Sequence, residues 1–166
     1  MKTVAPTWTV SAGETGAGPP ARRLIMVVGY DGSPPARRAL EQAVDLLRYR
    51  EGALEVVFVA RLPVGASLSV AAFAEVRQGL DEQARALAEE VRGRLANQDH
   101  PWQFQRRDGA VAAELKAVAA DLHRRYGDTV EIVIVVGDSA HRYHHVAGSV
   151  ASGIVRGATF PALVVP

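Results

Sequence analysis

Continuous apolar runs alternate along this chain with segments in which apolar residues recur at helical spacing. The runs at 24–30, 53–60 and 130–136 are typical of strands that are buried on both faces of a parallel sheet. Residues 102–108 alternate between apolar and polar positions, which predicts an edge or half-exposed strand. A short apolar run at 161–165 predicts the last strand. The chain is therefore expected to contain five strands.

The first predicted helix follows the first strand. Ser33 is a suitable N-cap, and Pro34 stands at the first helical position, where a backbone N–H is not needed. Gly52 is the expected end of this segment. The apolar positions that recur at helical spacing are Ala36, Ala39, Leu40, Ala43, Val44 and Leu47.

Three more helices are predicted further along the chain. A long one covers about 68–97, although Gly79 and Gly93 argue against its continuity. Another covers 111–126 and ends at Gly127. The apolar face of the long helix contains Leu80, Ala84, Leu87, Val91 and Leu95.

The last helix is predicted to begin at Gly148-Ser149. Five strands that alternate with four helices predict a three-layer α/β/α sandwich around a mainly parallel sheet. Residues 1–22 are rich in Gly, Pro, Thr and Ala without a sustained period, which indicates a flexible N-terminal arm. We therefore expect one folded domain over 23–166.

Composition excludes several classes of protein. The 166 residues include 48% hydrophobic ones, enough for one well-buried domain. A formal net charge of +1 argues against nucleic-acid binding, and the lack of cysteine excludes disulfides and thiol chemistry. The chain has neither an apolar stretch of membrane-spanning length nor a secretory signal pattern. A cytoplasmic protein without nucleic-acid or membrane partners is expected.

Two predicted strand ends carry residues that suit a ligand site. Residues 29–33 (GYDGS) follow the first strand, and 137–139 (GDS) follow the fourth. Ligands of open α/β sheets bind outside the carboxyl ends of strands, where the strand order reverses. Gly148 and Ser149 at a helix start add N–H groups and a hydroxyl. This layout suits a nucleotide, but the alternative is that the glycines only make tight turns, and no Walker A or G-x-G-x-x-G motif is present.

The domain resembles the universal stress protein family. The resemblance rests on VVGYDGSPPARRALEQAVDLL near the start, FQRRDGAVAAELKAVA in the middle, and VVG with GSVASGIVRGATFPALVVP at the end. It implies a five-stranded parallel sheet in the order 3-2-1-4-5 and a homodimer that pairs the last strand, 161–165, with its copy. In one branch of the family it also implies an ATP or AMP site between strands 1 and 4.

In that branch, the residues that match Asp31 and Val59 hold the adenosine. The phosphates lie on a loop of the form Gly-x-x-Gly, nine residues, Gly-Ser/Thr. This sequence departs from that form, because Ala140 replaces the second glycine and only the seven residues 141–147 precede Gly148. The candidate nucleotide-binding residues are Gly29, Asp31, Val59, Val136, Gly137, Ser139, Ala140, Arg142, Gly148 and Ser149.

The altered loop contains groups that oppose phosphate binding and groups that favour it. The Cβ of Ala140 hinders close backbone approach, and the carboxylate of Asp138 repels phosphates. Arg142 and His141 favour an anion, and a bound Mg²⁺ would offset the carboxylate. We expect a regulatory stress-response module that binds adenine nucleotide weakly and shows at most slow ATP hydrolysis. The alternative is a nucleotide-free stress protein that acts through protein contacts.

The same loop leaves further alternatives open. His141, His144 and His145 have spacing that suits one side of a helical turn, so that with Asp138 they could bind a metal or respond to pH. Ser139 lies in a sequence similar to a nucleophile elbow, but the final glycine of that motif is absent. Asp31 has a structural alternative as well, which is to cap the first helix.

Overall fold

The computed structural model describes residues 22–61, 69–138 and 149–166. The predicted arm therefore lies outside the described residues, apart from Arg22. The strands are β1 (Arg23–Gly29), β2 (Gly52–Ala60), β3 (Trp102–Asp108), β4 (Val130–Gly137) and β5 (Ala162–Val165). The α-helices are α1 (Pro34–Leu47), α2 (Val70–Arg94), α3 (Val111–Tyr126) and α4 (Ser149–Val155), with a short 3₁₀ turn at Gly127–Thr129.

The five strands form one parallel sheet in the order β3-β2-β1-β4-β5. This confirms the predicted fold class and strand order. β1 lies at the centre between β2 and β4. The chain adds β2 and β3 on one side of β1 and then β4 and β5 on the other side. The carboxyl end of β1 is therefore the point at which the strand order reverses, where open α/β sheets bind ligands. The weakly amphipathic β3 lies at one edge and the short β5 at the other.

Helices cover both faces of the sheet and create two separate cores. Alternate residues of β1, such as Met26 and Val28, pack against α1 and α2 on one face. Ile25 and Val27 pack on the opposite face with α3 and α4. β2 is buried throughout, as its continuous apolar pattern predicts. The predicted three-layer arrangement is confirmed.

Helix boundaries confirm most of the sequence predictions, with one correction. The side chain of Ser33 accepts a hydrogen bond from the backbone N–H of Ala36, so Ser33 is the N-cap of α1. Gly52 was the wrong helix end, because α1 ends at Leu47 and Gly52 is the first residue of β2. A Cβ on Gly52 would lie 2.2 Å from the carbonyl oxygen of Leu24, which explains the glycine there.

The predicted long helix is confirmed and is continuous. α2 continues through both Gly79 and Gly93, and a Cβ at either position would meet nothing within 4 Å. Its amphipathic second half, with Ala84, Leu87 and Val91 buried, supports the whole helix by packing, which outweighs glycine's poor helix propensity. None of the described helices is both long enough and apolar enough to cross a bilayer.

Candidate functional site

A cleft of about 520 Å³ lies at the carboxyl ends of the central strands. Its walls come from the ends of β1, β2 and β4, from the first turn of α1, and from the starts of α3 and α4. The predicted ligand crevice is therefore present as a cavity. The residues that line it include Gly29, Tyr30, Asp31, Ser33, Pro35, Val59, Arg61, Gln83, Val111, Val136, Gly137, Ser149 and Val150.

Every candidate site residue that the structure describes lines this cleft. The parallel strands bring their carboxyl ends to one edge, so residues that are far apart in sequence converge there. Ser139, Ala140, Arg142 and Gly148 lie outside the described residues, as do the three histidines His141, His144 and His145. The members that meet in the cleft are Gly29, Asp31, Val59, Val136, Gly137 and Ser149.

Two glycines at the strand ends lie in crowded surroundings. A Cβ on Gly137 would lie 2.3 Å from the backbone carbon and oxygen of Pro35, at the start of α1. A Cβ on Gly29 would lie 3.0 Å from Leu115 of α3 and 3.3 Å from Val136. Both glycines therefore have a packing role that the sequence did not predict, and this role does not exclude ligand contact.

Asp31 shapes the turn between β1 and α1. Its Oδ1 accepts a hydrogen bond from the backbone N–H of Ser33 at 3.0 Å, which makes an Asx turn before the helix. Ser33, not Asp31, is the N-cap of α1, so the alternative that Asp31 caps this helix is wrong. Asp31 instead stabilises the turn that precedes the helix. Within the described part of the chain, no hydrogen bond is present at Oδ2 of this exposed carboxylate. A second acceptor therefore remains on the cleft wall.

A polar network fixes the position of Asp31's neighbour, Tyr30. The buried Tyr30 hydroxyl donates to Oε1 of Glu90 at 2.7 Å, and the same oxygen accepts from Nε of Arg37 at 2.7 Å and from Nε of Arg94 at 3.0 Å. The hydrogen bond from Arg37 and that from Tyr30 lower the pKa of Glu90 to about 2. Burial, followed by the contact with Glu90, raises the pKa of Tyr30. The network joins the end of β1 to both α1 and α2.

One cation at the cleft, Arg61, was not predicted from the sequence. It is the first residue after β2 and lies exposed on the cleft wall. A second hollow of about 640 Å³ shares Arg61, Val111, Ser149 and Val150 with the cleft, so the two form one continuous groove. The position of Arg61 directly after a strand beside the switch point was the available signal. It adds a positive charge to the wall of the cleft.

The alternative of a metal site depends on His141, His144 and His145, which lie outside the described residues. The described ranges contain no group of three or more His, Cys, Asp or Glu side chains placed to hold a metal ion. Asp138, the remaining ligand of that alternative, is described, and its backbone N–H donates to the carbonyl of Val165 at 2.6 Å. The histidine cluster itself stays a sequence prediction.

Comparison with known proteins gives one family and many structures. The model of the universal stress protein family matches residues 23–166. The structure of the universal stress protein UspA from Lactobacillus plantarum is 21% identical, with a TM-score of 0.70, over 88% of this chain and 99% of that one. No curated protein matches significantly.

Two similar structures contain nucleotides. A universal stress protein in complex with cAMP is 18% identical, with a TM-score of 0.60, over 88% of this chain and 99% of that one. A family protein from Arabidopsis thaliana with AMP bound is 15% identical, with a TM-score of 0.55, over 86% of this chain and 90% of that one. At such identities, these structures support the fold alone.

Proposed function

The chain belongs to the universal stress protein family, and we propose that it is a regulatory member that binds an adenine nucleotide weakly in the cleft between β1 and β4. The observation that carries the proposal is the convergence of the candidate residues on one cavity at the switch point of the sheet. The known complexes of similar structures with AMP and cAMP support the choice of ligand. We place the protein in the cytoplasm.

The walls of the cleft suit the two halves of a nucleoside. Val59 and Val136 supply apolar surface on which a base can lie, and Val59 is 8% exposed. Asp31 offers a carboxylate oxygen to the hydroxyl groups of a ribose. These groups lie at the ends of adjacent strands, where rigid backbone holds them in place. We assign the adenosine to this part of the cleft.

The phosphates would lie toward Ser149 and the groove that Arg61 borders. Arg61 and the loop residue Arg142 favour them, whereas Asp138 and the Cβ of Ala140 oppose them. A divalent cation between the phosphates and a carboxylate reverses a repulsion into an attraction. We therefore expect weak binding that Mg²⁺ strengthens for ATP.

Isothermal titration with ATP and AMP, with and without Mg²⁺ at pH 6 and pH 8, tests the proposal. The expected result is binding at millimolar or better affinity that is tightest for ATP with Mg²⁺ at pH 6, where histidines are cationic. Asp31→Asn should weaken it about tenfold, because it removes a charge-assisted hydrogen bond. The matched control is Asp45→Asn, since Asp45 pairs with Arg48 on the exposed side of α1.

A specific result would overturn the nucleotide function. If neither nucleotide binds below millimolar concentration in any of the four conditions, the alternative of a nucleotide-free protein that acts through protein contacts replaces it. If binding is seen but Asp31→Asn and Asp45→Asn behave alike, the nucleotide lies outside the cleft proposed here.

We also propose that the protein forms a homodimer through β5. The backbone N–H of Ile134 donates to the carbonyl of Pro161, and that of Asp138 donates to Val165, so the odd-numbered carbonyls face β4. By the alternation of a strand, Ala162 and Val164 direct their backbone groups away from the sheet. An edge of this kind can pair with a second copy of itself across a two-fold axis.

Sedimentation at micromolar concentration tests the dimer. Ala162→Pro removes an outward N–H from an exposed residue and should give a monomer. Val164→Lys should do the same by placing a charge at the interface, but Val164 also packs against the core under α4, so circular dichroism must show that this variant is folded. A wild-type protein that sediments as a monomer would refute the proposal.

A further inference from the structure

A second cavity, of about 330 Å³, lies at the opposite end of the sheet. It is bordered by the first residues of β2 and β3 and by the last turns of α3. This cavity lies at the amino end of β2, and the nucleotide cleft lies at its carboxyl end. A volume near 300 Å³ is at the small end of those that hold organic ligands.

A buried carboxylate borders this cavity. Glu55 lies in the fourth position of β2 and is 3% exposed, and among the described residues it is the one charged side chain that is buried. Gln103 and Gln105 of β3 donate their side-chain amides to its two oxygens, Oε2 and Oε1 respectively. These donors satisfy part of the capacity of a carboxylate, which accepts about four hydrogen bonds.

The burial of Glu55 has an energetic cost that the two amides do not remove. Burial raises the pKa of Glu55, while the hydrogen bonds from Gln103 and Gln105 and the charge of Arg125 lower it by less. A cation that entered the cavity beside Glu55 would offset that cost.

The remaining walls suit an organic cation. Tyr126 lines the cavity, and the face of an aromatic ring attracts ammonium groups. Ile25, Ala53 and Leu122 supply apolar surface around it. Trp102 borders the cavity at the start of β3, but its side chain packs with Leu54 on the other face of the sheet. A carboxylate, an aromatic ring and an apolar wall together form the set of groups that recognises an amine with a small hydrocarbon body.

We propose that this cavity is a second ligand site, separate from the nucleotide cleft, and that it binds a small organic amine whose ammonium group contacts Glu55 and whose apolar body lies against Tyr126 and Leu122. The site depends on the amino ends of β2 and β3, whereas the nucleotide cleft uses the carboxyl ends of β1, β2 and β4. It is therefore independent of whether the protein binds nucleotide.

Benzylammonium and benzyl alcohol form a matched pair of probes, since they differ in the charged group. Each is titrated at pH 7.5 into the full chain labelled with ¹⁵N, and the side-chain amide signal of Gln103, identified by its loss in Gln103→Met, reports binding. We expect benzylammonium to shift this signal saturably and benzyl alcohol to bind at least tenfold more weakly. Such a ratio corresponds to the loss of a charge-assisted hydrogen bond.

Three variants locate the contact. Glu55→Gln keeps the size of the side chain and should weaken benzylammonium about tenfold or more, without weakening benzyl alcohol. Glu131→Gln is the control, because Glu131 is a half-exposed glutamate near the same end of β4, two strands away from β2, and binding should not change. Ala53→Leu partly fills the cavity and should weaken both probes, which decides the matter if Glu55→Gln does not fold.

Other outcomes overturn the proposal. Equal affinity for the two probes, or a Glu55→Gln variant that binds benzylammonium as well as the wild type, would show that Glu55 does not select an amine. If no saturable shift is seen up to about 10 mM of probe, the affinity is too weak for a ligand site. That result would show that the cavity is not one. An unchanged affinity in Ala53→Leu would place the probe elsewhere.

Discussion

The two ends of the sheet contain acidic side chains in opposite circumstances. At the carboxyl end, Asp31 is exposed in a turn, and a single backbone N–H holds it in place. At the amino end, Glu55 is buried inside β2 and depends on two amides from a neighbouring strand. A turn can present a carboxylate at almost no cost, whereas a strand interior must surround it with donors.

Glu90 lies between these extremes. It is partly exposed and accepts hydrogen bonds from Tyr30 and from two arginines, so its charged form is stabilised. Glu55 receives neutral donors and is deeply buried, so its charged form is disfavoured. The pH dependence of stability should therefore have opposite signs for the two residues.

The largest effects are expected from alanine at the two crowded glycines. Gly52→Ala at the amino end and Gly137→Ala at the carboxyl end both force a Cβ against backbone, at 2.2 Å and 2.3 Å. Each should lower the free energy of unfolding by about 3 kcal/mol, as measured by urea denaturation. Equal losses would show that Gly137 is fixed by packing, as Gly52 is.

The control for this pair is Gly79→Ala, where the added Cβ meets nothing. It should raise the free energy of unfolding by about 0.5–1 kcal/mol, since alanine is the better helix former. A Gly137→Ala protein as stable as the wild type would contradict the close contact with Pro35.

The next largest effect is expected from Glu90→Gln. The pKa of Glu90 is lowered to about 2, so its contribution is fully present above the unfolded value near 4.5 and disappears as the pH falls toward 2. The variant should lose about 2 kcal/mol at pH 7 and progressively less in acid. Urea titrations at several pH values measure this.

The comparison variant for this experiment is Glu89→Gln. Glu89 pairs with Arg92 on the exposed face of α2, and its loss should change stability by at most about 0.5 kcal/mol. A loss for Glu90→Gln that does not shrink between pH 7 and pH 3 would contradict the assignment.

A smaller effect of opposite sign is expected from Glu55→Gln. Because burial raises the pKa of Glu55, the folded state binds its proton more tightly, and the wild type loses stability as the pH rises from the unfolded value through the raised one. The variant lacks this loss, so its stability relative to the wild type should improve between pH 4 and pH 8. A relative stability that is flat with pH would argue against burial of the charge.

The smallest effect on stability is expected from Asp31→Asn. Asparagine also accepts a hydrogen bond in an Asx turn, so the contact with the N–H of Ser33 is retained. The free energy of unfolding should change by less than about 0.5 kcal/mol, although nucleotide affinity should fall. A large loss of stability would mean that Asp31 has a structural task beyond this turn.

The sequence predicted those parts of the fold that depend on local pattern. The alternation in 102–108 matches β3, an edge strand, and the predicted end of α3 matches Gly127, whose φ of +56° favours glycine. Gly52 was misassigned because its reason lies in the neighbouring strand, at the carbonyl of Leu24. Such contacts across space leave no periodic signal in the chain.

The candidate sites show the same division. Asp31 and Gly137 could be identified because parallel strands bring their carboxyl ends together, whatever the detailed packing. Glu55 appears in the sequence as one polar residue in an apolar run, and its role depends on Gln103 and Gln105, which follow nearly fifty residues later. Arg61 follows β2, which ends beside β1, so its place at the cleft depends on the same convergence of strand ends.

The unequal edges of the sheet have a consequence for assembly. β5 ends the sheet with a short apolar strand, whereas β3 ends it with Arg106 and Arg107, which are held in ion pairs with Asp81 and Glu114. Charged edge strands resist pairing with further copies. If two β5 edges join as proposed, each outer margin of the combined sheet is a charged β3, and we expect growth to stop at a closed pair instead of continuing into a filament.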